Sequence, residues 1–408
     1  MTCRHCGAVL ALPFLDLGTA PPSNAFLSVA ALRSPEKWYP LRVLTCTACW
    51  LVQTEDYTHR GELFAEDYAY FSSYSTTWVS HAERYVDAMV ERLSLDERSL
   101  VVEVACNDGY LLQHVRARAI PALGIEPTKS TAQAARARGI EVVEEFLGIA
   151  LADRLRQSGV SADLIVANNV LAHVPDINDF VSGLARLLKS TGVATFEFPH
   201  LLRTVRESQF DTIYHEHFSY LSFSTAMAIL ERSGLRVFDV EELSTHGGSL
   251  RVFAHRIDGV TRQVTERVGP LCEEERAAGM RTAQFYERFQ AQAERVKDDF
   301  LSFLLGAKQA GRSVAAYGAA AKGSTLLNFA GVRPDHIRFV ADRNPAKQGS
   351  YMPGSRIPIV DEAHLRTAKP DLVVVLPWNL KAEVTRQLHY IRDWGGQFVT
   401  AIPRIETL

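Results

Sequence analysis

Long runs of one charge sign are missing from this 408-residue chain, whose 44 Lys and Arg and 47 Asp and Glu are mixed along its length to a net charge of −3. That argues against a DNA-backbone stripe and a polybasic membrane segment, so a small-molecule partner is expected and nucleic acid is not. No run of roughly 18 apolar residues occurs, and the opening MTCRHCGAVL lacks the apolar stretch of a secretory leader, so the expectation is cytoplasmic with no membrane partner. Three common signatures are also lacking: GxGxxG for dinucleotides, GxxxxGK[ST] for nucleoside triphosphates and HExxH for a catalytic metal. Of six cysteines, four form two close pairs and two (Cys106 and Cys272) are isolated, which is poor disulfide arithmetic and good metal arithmetic.

What is present is an ordinary globular composition, 47% hydrophobic, on a chain longer than the about 250–300 residues one core supports. Two or three domains follow. Residues 1–65 are rich in proline and turn signals and bracketed by cysteines. Residues 66–265 alternate apolar runs (SLVVEVA, ALGIEP, ADLIVANNVL, GVATFEFP) with helical periodicity, the mark of βαβ units and a parallel sheet. Residues 266–408 open on a stretch from Glu266 to Gln309 that reads as one long helix, then repeat the alternation with SVAAYG, HIRFVAD and DLVVVLPW. The fold class is therefore α/β: a small N-terminal module, then two Rossmann-like units. A single-chain arrangement of this kind is compatible with a monomer.

Cys3 and Cys6 form one CxxC knuckle and Cys46 and Cys49 a second, 39 residues on. Four thiolates suit a closed tetrahedral zinc that holds together a segment too small for its own core, with no catalytic role.

In the middle unit an apolar strand carries Glu103 into a small-residue turn containing Ala105, Asn107 and Gly109, and the next strand ends on Glu126. With ADLIVANNVLAHVPD (162–176), which contributes Asn168, Asn169 and His173, this order resembles the class I S-adenosylmethionine methyltransferases. The resemblance implies that Glu126 takes the ribose hydroxyls and that Asn168, Asn169 and His173 lie near the methyl donor. In the last unit, Lys322 and Ser324 open a helix that also carries Asn328; Asp342, Arg343 and Tyr351 follow the next strand, a set suited to a phosphate or nucleotide.

The tract DTIYHEHFSYLSF (211–223) places Tyr214, His215, Glu216 and His217 consecutively. By itself it admits a metal site, an acid/base cluster or plain core. Together, the cysteine knuckles, the methyltransferase unit, IYHEHFSYLS, HGGSLRVF (246–253) and YGAAAKG resemble the nucleotide-sugar C-methyltransferases of antibiotic deoxysugar pathways across essentially the whole chain. The nearest picture is a dTDP-4-keto-deoxysugar C-3 methyltransferase. That resemblance implies zinc in the first module, S-adenosylmethionine in the second, and the dTDP end of the sugar on the third. It also puts His173 and Tyr68 in the cavity with the tract.

Carbon methylation next to a ketone needs a base for the C-3 proton and a donor for the enolate oxygen. His217 is the expected base, Tyr214 the donor or second candidate, and Glu216 a group that orients His217 or meets the sugar. If the tract is extended, His215 and His217 face one side and Tyr214 and Glu216 the other. Competing readings are an O- or N-methyltransferase acting on a sugar or polyketide, and a binding protein with a degenerate methyltransferase unit.

Overall fold

The computed structural model describes residues 1–57 and 71–408. Tyr68 lies outside the described residues. Among these residues the chain forms three sheets.

The first runs Leu12–Ala20, Tyr39–Thr45, Val52–Thr54 and Ser219–Tyr220, each strand antiparallel to its neighbour. Its fourth strand comes from the middle of the chain, directly after the histidine tract, so the cysteine-bearing segment is not a free-standing module. Phe14, Leu15 and Leu17 turn inward, and the Phe14 ring stacks on Phe289 at 4.7 Å. The sheet's apolar face is thereby buried against the helices that lead into the last unit.

The second sheet has seven strands in the order Leu235–Leu243, Ser249–Arg256, Leu188–Pro199, Ala162–Asn168, Val101–Val104, Ala122–Ile125 and Glu141–Val143. Ser249–Arg256 is antiparallel to both neighbours, and the strands from Leu188–Pro199 through Glu141–Val143 pair in parallel. The strands Ala162–Asn168, Val101–Val104 and Ala122–Ile125 are mostly Val, Ile, Leu and Ala, as expected where helices cover both faces. One of these is Thr76–Leu93, capped by the Ser75 side chain accepting from the Trp78 amide, with Ala82, Tyr85, Val86 and Met89 inward. This is the class I methyltransferase arrangement expected from the motif order.

The third sheet orders Ile359–Val360, Val340–Ala341, Val314–Tyr317, Leu372–Val375, Gln397–Thr400 and Glu406–Thr407, parallel except at the last strand. The strand order reverses between Val314–Tyr317 and Leu372–Val375, the place where doubly wound sheets bind ligands. There the two following loops touch: a Cβ on Gly318 (φ +87°) would stand 2.5 Å from Pro377 Cδ.

The stretch from Glu266 to Gln309 is not one helix but three: Val268–Ala277, Ala283–Glu287 and Phe289–Gln309. Gly279, at φ +82°, ends the first in the left-handed conformation that glycine adopts most easily. No helix among the described residues is long and apolar enough to cross a membrane.

Candidate functional site

The four knuckle cysteines converge, their sulfurs all within 4.8 Å of one another, with Cys3–Cys49 and Cys6–Cys46 at 3.5 Å. Four thiolates about 2.3 Å from one zinc stand about 3.8 Å apart, so the set fits the ion. Each knuckle is a tight turn, closed by Gly7 N–H to Cys3 O and Trp50 N–H to Cys46 O. His5 is engaged elsewhere, its Nδ1 2.8 Å from Asn178 Oδ1.

At the top of the second sheet, the turn after Val101–Val104 holds Ala105, Asn107 and Gly109 at φ +55°, +51° and +78°. A Cβ at Gly109 would lie 2.3 Å from Ile140 Cδ1, so packing as well as dihedral demands glycine there. Glu126 accepts the Asn107 amide at 2.9 Å and the Thr128 amide at 2.9 Å, which ties the turn to the end of the next strand.

Burial pushes the Glu103 carboxyl well above the usual range; Tyr110 opposes the rise, and the Asp108 and Glu126 charges add to it. Asn168 Oδ1 and Asn169 Nδ2 are buried with no hydrogen-bond partner among the described residues. Such orphaned acceptors and donors at the carboxyl ends of parallel strands fit a polar ligand carrying an ammonium and a carboxylate, as S-adenosylmethionine does.

The histidine tract is a turn rather than a strand: the His217 amide donates to Tyr214 O at 2.9 Å. The expected alternation therefore fails, because an i→i+3 turn returns Tyr214 to the side of His217. Their rings stand 4.0 Å apart, and the Tyr214 hydroxyl is 2.8 Å from His217 Nε2. His217 Nδ1 lies 2.8 Å from Thr212 O, an acceptor only, so Nδ1 carries the hydrogen, Nε2 the lone pair, and Tyr214 donates. Burial, with His173, His246 and Lys322 nearby, holds the His217 pKa well below 6.5.

His173 donates Nδ1–H to Glu216 O at 2.9 Å, its ring 4.5 Å from that of His217, and burial lowers its pKa to about 4. His215 points away, donating Nε2–H to Pro40 O at 3.1 Å.

All three parts of the chain grip this turn. From the first come Thr54, whose hydroxyl donates to His217 O at 3.0 Å, and Asn24, whose amide reaches the Glu216 carboxylate. From the second, Ala172 O accepts the Phe218 amide at 2.7 Å. From the third, the Thr325 hydroxyl donates to Ile213 O at 2.9 Å and Trp378 Nε1–H to Asp211 Oδ2 at 2.8 Å. Burial raises the Asp211 carboxyl to about 6, with Lys322 working against the rise.

Lys322 donates to Asn379 Oδ1 at 2.8 Å and sits over the Trp378 ring at 4.6 Å, at the reversal point of the third sheet. The other expected residues of this unit shape its loops. Asp342 accepts the Ala319 amide at 2.6 Å, Ser324 donates to Ser23 O at 3.0 Å, Asn328 to Pro353 O at 3.1 Å and Arg343 to Gln387 Oε1 at 3.1 Å. Tyr351 pairs its backbone with Leu27. His246, from the HGG tract, faces Trp78 edge-on at 5.1 Å with its Nε2 buried and unpartnered among the described residues. Sequence reasoning missed Asn24, Asp211 and Trp378; Asn24 and Glu216 are 192 residues apart, beyond any local pattern.

Residues 3–64 match a domain model described as zinc binding, 78–240 a methyltransferase domain and 244–403 the C-methyltransferase C-terminal domain. Over 401 residues the chain is 33% identical to the C-methyltransferase NovU of Streptomyces niveus, covering 98% of this chain and 95% of that protein. Among solved structures, an S-adenosylmethionine-dependent methyltransferase from Clostridium acetobutylicum aligns at 11% identity and TM-score 0.36, over 44% of this chain and 92% of that one. Magnesium protoporphyrin IX methyltransferase of Synechocystis, with bound S-adenosylmethionine, aligns at 18% and 0.33, over 44% and 81%.

Proposed function

The chain belongs to the C-methyltransferase family, and we propose that its acceptor is a dTDP-linked 4-keto-deoxysugar, methylated at C-3 after removal of the C-3 proton and through an enolate. One observation carries this reading: a neutral imidazole whose tautomer is fixed by Thr212 O presents its only lone pair, on Nε2, to a phenol. A base and an acid in hydrogen-bonding contact are what a carbon acid beside a ketone requires.

When bound, S-adenosylmethionine supplies an electrophilic methyl group. The chain's own residues do the rest. The Tyr214 hydroxyl swings from Nε2 to the C-4 oxygen, which frees Nε2 to take the C-3 proton. The electron pair left at C-3 spreads onto that oxygen, and Tyr214 stabilises it there. His217 is a weak base because its cation is disfavoured by burial, so the donor to the oxygen is as necessary as the base. C-3 would then take the methyl carbon as that carbon's bond to the sulfonium sulfur breaks, leaving the neutral thioether S-adenosylhomocysteine, and His217 would return its proton to solvent. Lys322 and Trp378 offer a cation and an aromatic face to the nucleotide end, with Asp342, Arg343, Ser324, Asn328 and Tyr351 holding the loops that carry them.

Solvent exchange tests the proposal. Enzyme, S-adenosylhomocysteine and a dTDP-4-keto-6-deoxysugar in D2O are expected to put deuterium at C-3. Absence of exchange together with methylation at an oxygen or nitrogen sinks the proposal in favour of an O- or N-methyltransferase.

A further inference from the structure

The proposed mechanism gives the first part of the chain no step, yet its loop over residues 21–36 reaches the reacting turn. Asn24 Nδ2 stands 3.0 and 2.8 Å from the two carboxylate oxygens of Glu216. A carboxylate accepts and does not donate, which fixes the Asn24 side chain with its NH2 towards Glu216.

The loop itself is anchored on the third unit. Ser23 O accepts the Ser324 hydroxyl, and Leu27 exchanges backbone hydrogen bonds of 3.0 and 2.8 Å with Tyr351. The Phe26 ring lies 5.0 Å from the Lys347 ammonium. Lys347 donates to Ala319 O at 2.7 Å, and its charge also faces Glu216 and Asp342. Glu216 passes the placement on, because its carbonyl takes the Nδ1–H of His173, whose ring abuts His217. A donor from outside the turn thus bears on the two imidazoles nearest the chemistry.

We infer that Asn24 is a positioning residue for the methyl transfer: its amide holds the Glu216 carboxylate, and through Glu216 the His173–His217 pair, in place. The inference rests on the reading of this turn as the reaction site.

The test compares Asn24→Ala, Asn24→Asp and Glu216→Gln in the full-length zinc-loaded protein. Loss of a hydrogen bond to a charged group predicts a kcat for Asn24→Ala lower by about 10- to 100-fold. Zinc content, S-adenosylmethionine affinity and acceptor KM stay within about twofold. Asn24→Asp keeps the shape but sets one carboxylate against another, tempered by Lys347, so its kcat falls below that of Asn24→Ala. A purely structural role predicts the reverse order, because the isosteric side chain preserves packing. If Asn24→Ala does not fold, Asn24→Ser, which keeps a donor, takes its place in the same ordering. Wild-type kcat in Asn24→Ala, or Asn24→Asp more active than the donor-retaining or alanine variant, overturns the inference. Wild-type turnover in Glu216→Gln also overturns the inference, because the relay runs through that carboxylate, while loss of turnover in His217→Asn would keep the reading of the turn itself; an inactive Glu216→Gln beside a fully active Asn24→Ala removes only the role of Asn24.

Discussion

Replacing His217 by Asn puts the proposed chemistry at risk while sparing most of the fold. His217 makes two hydrogen bonds of 2.8 Å, one to Thr212 O and one from Tyr214. At about 1 kcal/mol net for each, their loss costs roughly 2 kcal/mol, less than the about 5–15 kcal/mol that keeps a domain folded. The residues proposed to hold S-adenosylmethionine, Glu103, Glu126, Asn168 and Asn169, sit on other elements than His217, so the affinity for the methyl donor is expected to hold. Turnover is another matter. A positioned general base contributes about 10²- to 10⁴-fold, or roughly 3 to 5 kcal/mol of barrier. The assay is product mass spectrometry on a dTDP-4-keto sugar, alongside S-adenosylmethionine titration calorimetry and a thermal melt. Tyr214→Phe, which keeps the ring and removes the donor, should also lose most of its turnover. A folded His217→Asn that binds S-adenosylmethionine and turns over at more than a tenth of the wild-type rate refutes His217 as the base.

Cys46→Ser should lower metal content and melting temperature together, and turnover with them, because Thr54 and the Ser219–Tyr220 strand carry disorder from the zinc site to the turn; metal analysis with a melt checks this. Acid should destabilise the fold between about pH 6.5 and 4, where the unfolded chain protonates histidines that burial keeps neutral in the fold, His173 and His246 with pKa values of about 4. Asp211, raised to about 6, acts with the opposite sign above its ordinary value of 3.8, so melting temperature against pH should steepen in Asp211→Asn and flatten in His173→Gln. Gly247→Ala places a methyl 2.3 Å from the Trp378 ring at φ +89°; it should cost about 1–3 kcal/mol in a denaturant melt and raise acceptor KM by shifting Trp378 from Asp211.

Local chemistry made much of this protein legible from its letters. Two CxxC knuckles name a thiolate metal site wherever the fold takes them, because the ligand atoms lie within a turn of each other. Alternating apolar runs and helices require a parallel sheet, and Glu103 and Glu126, each at the end of a strand, fall at the carboxyl edge of that sheet by topology alone. Other features depended on contacts between distant residues. An extended segment would have divided Tyr214 from His217, and only the turn, gripped by Thr54, Ala172, Thr325 and Trp378, brings phenol and imidazole together. The proton on Nδ1 is set by a carbonyl five residues away, and the Glu216 carboxylate is met by an amide from the far end of the chain. Residue types supplied the candidates for acid and base; tertiary packing decided which lone pair faces which hydrogen, because those directions are set by neighbours that no local pattern encodes.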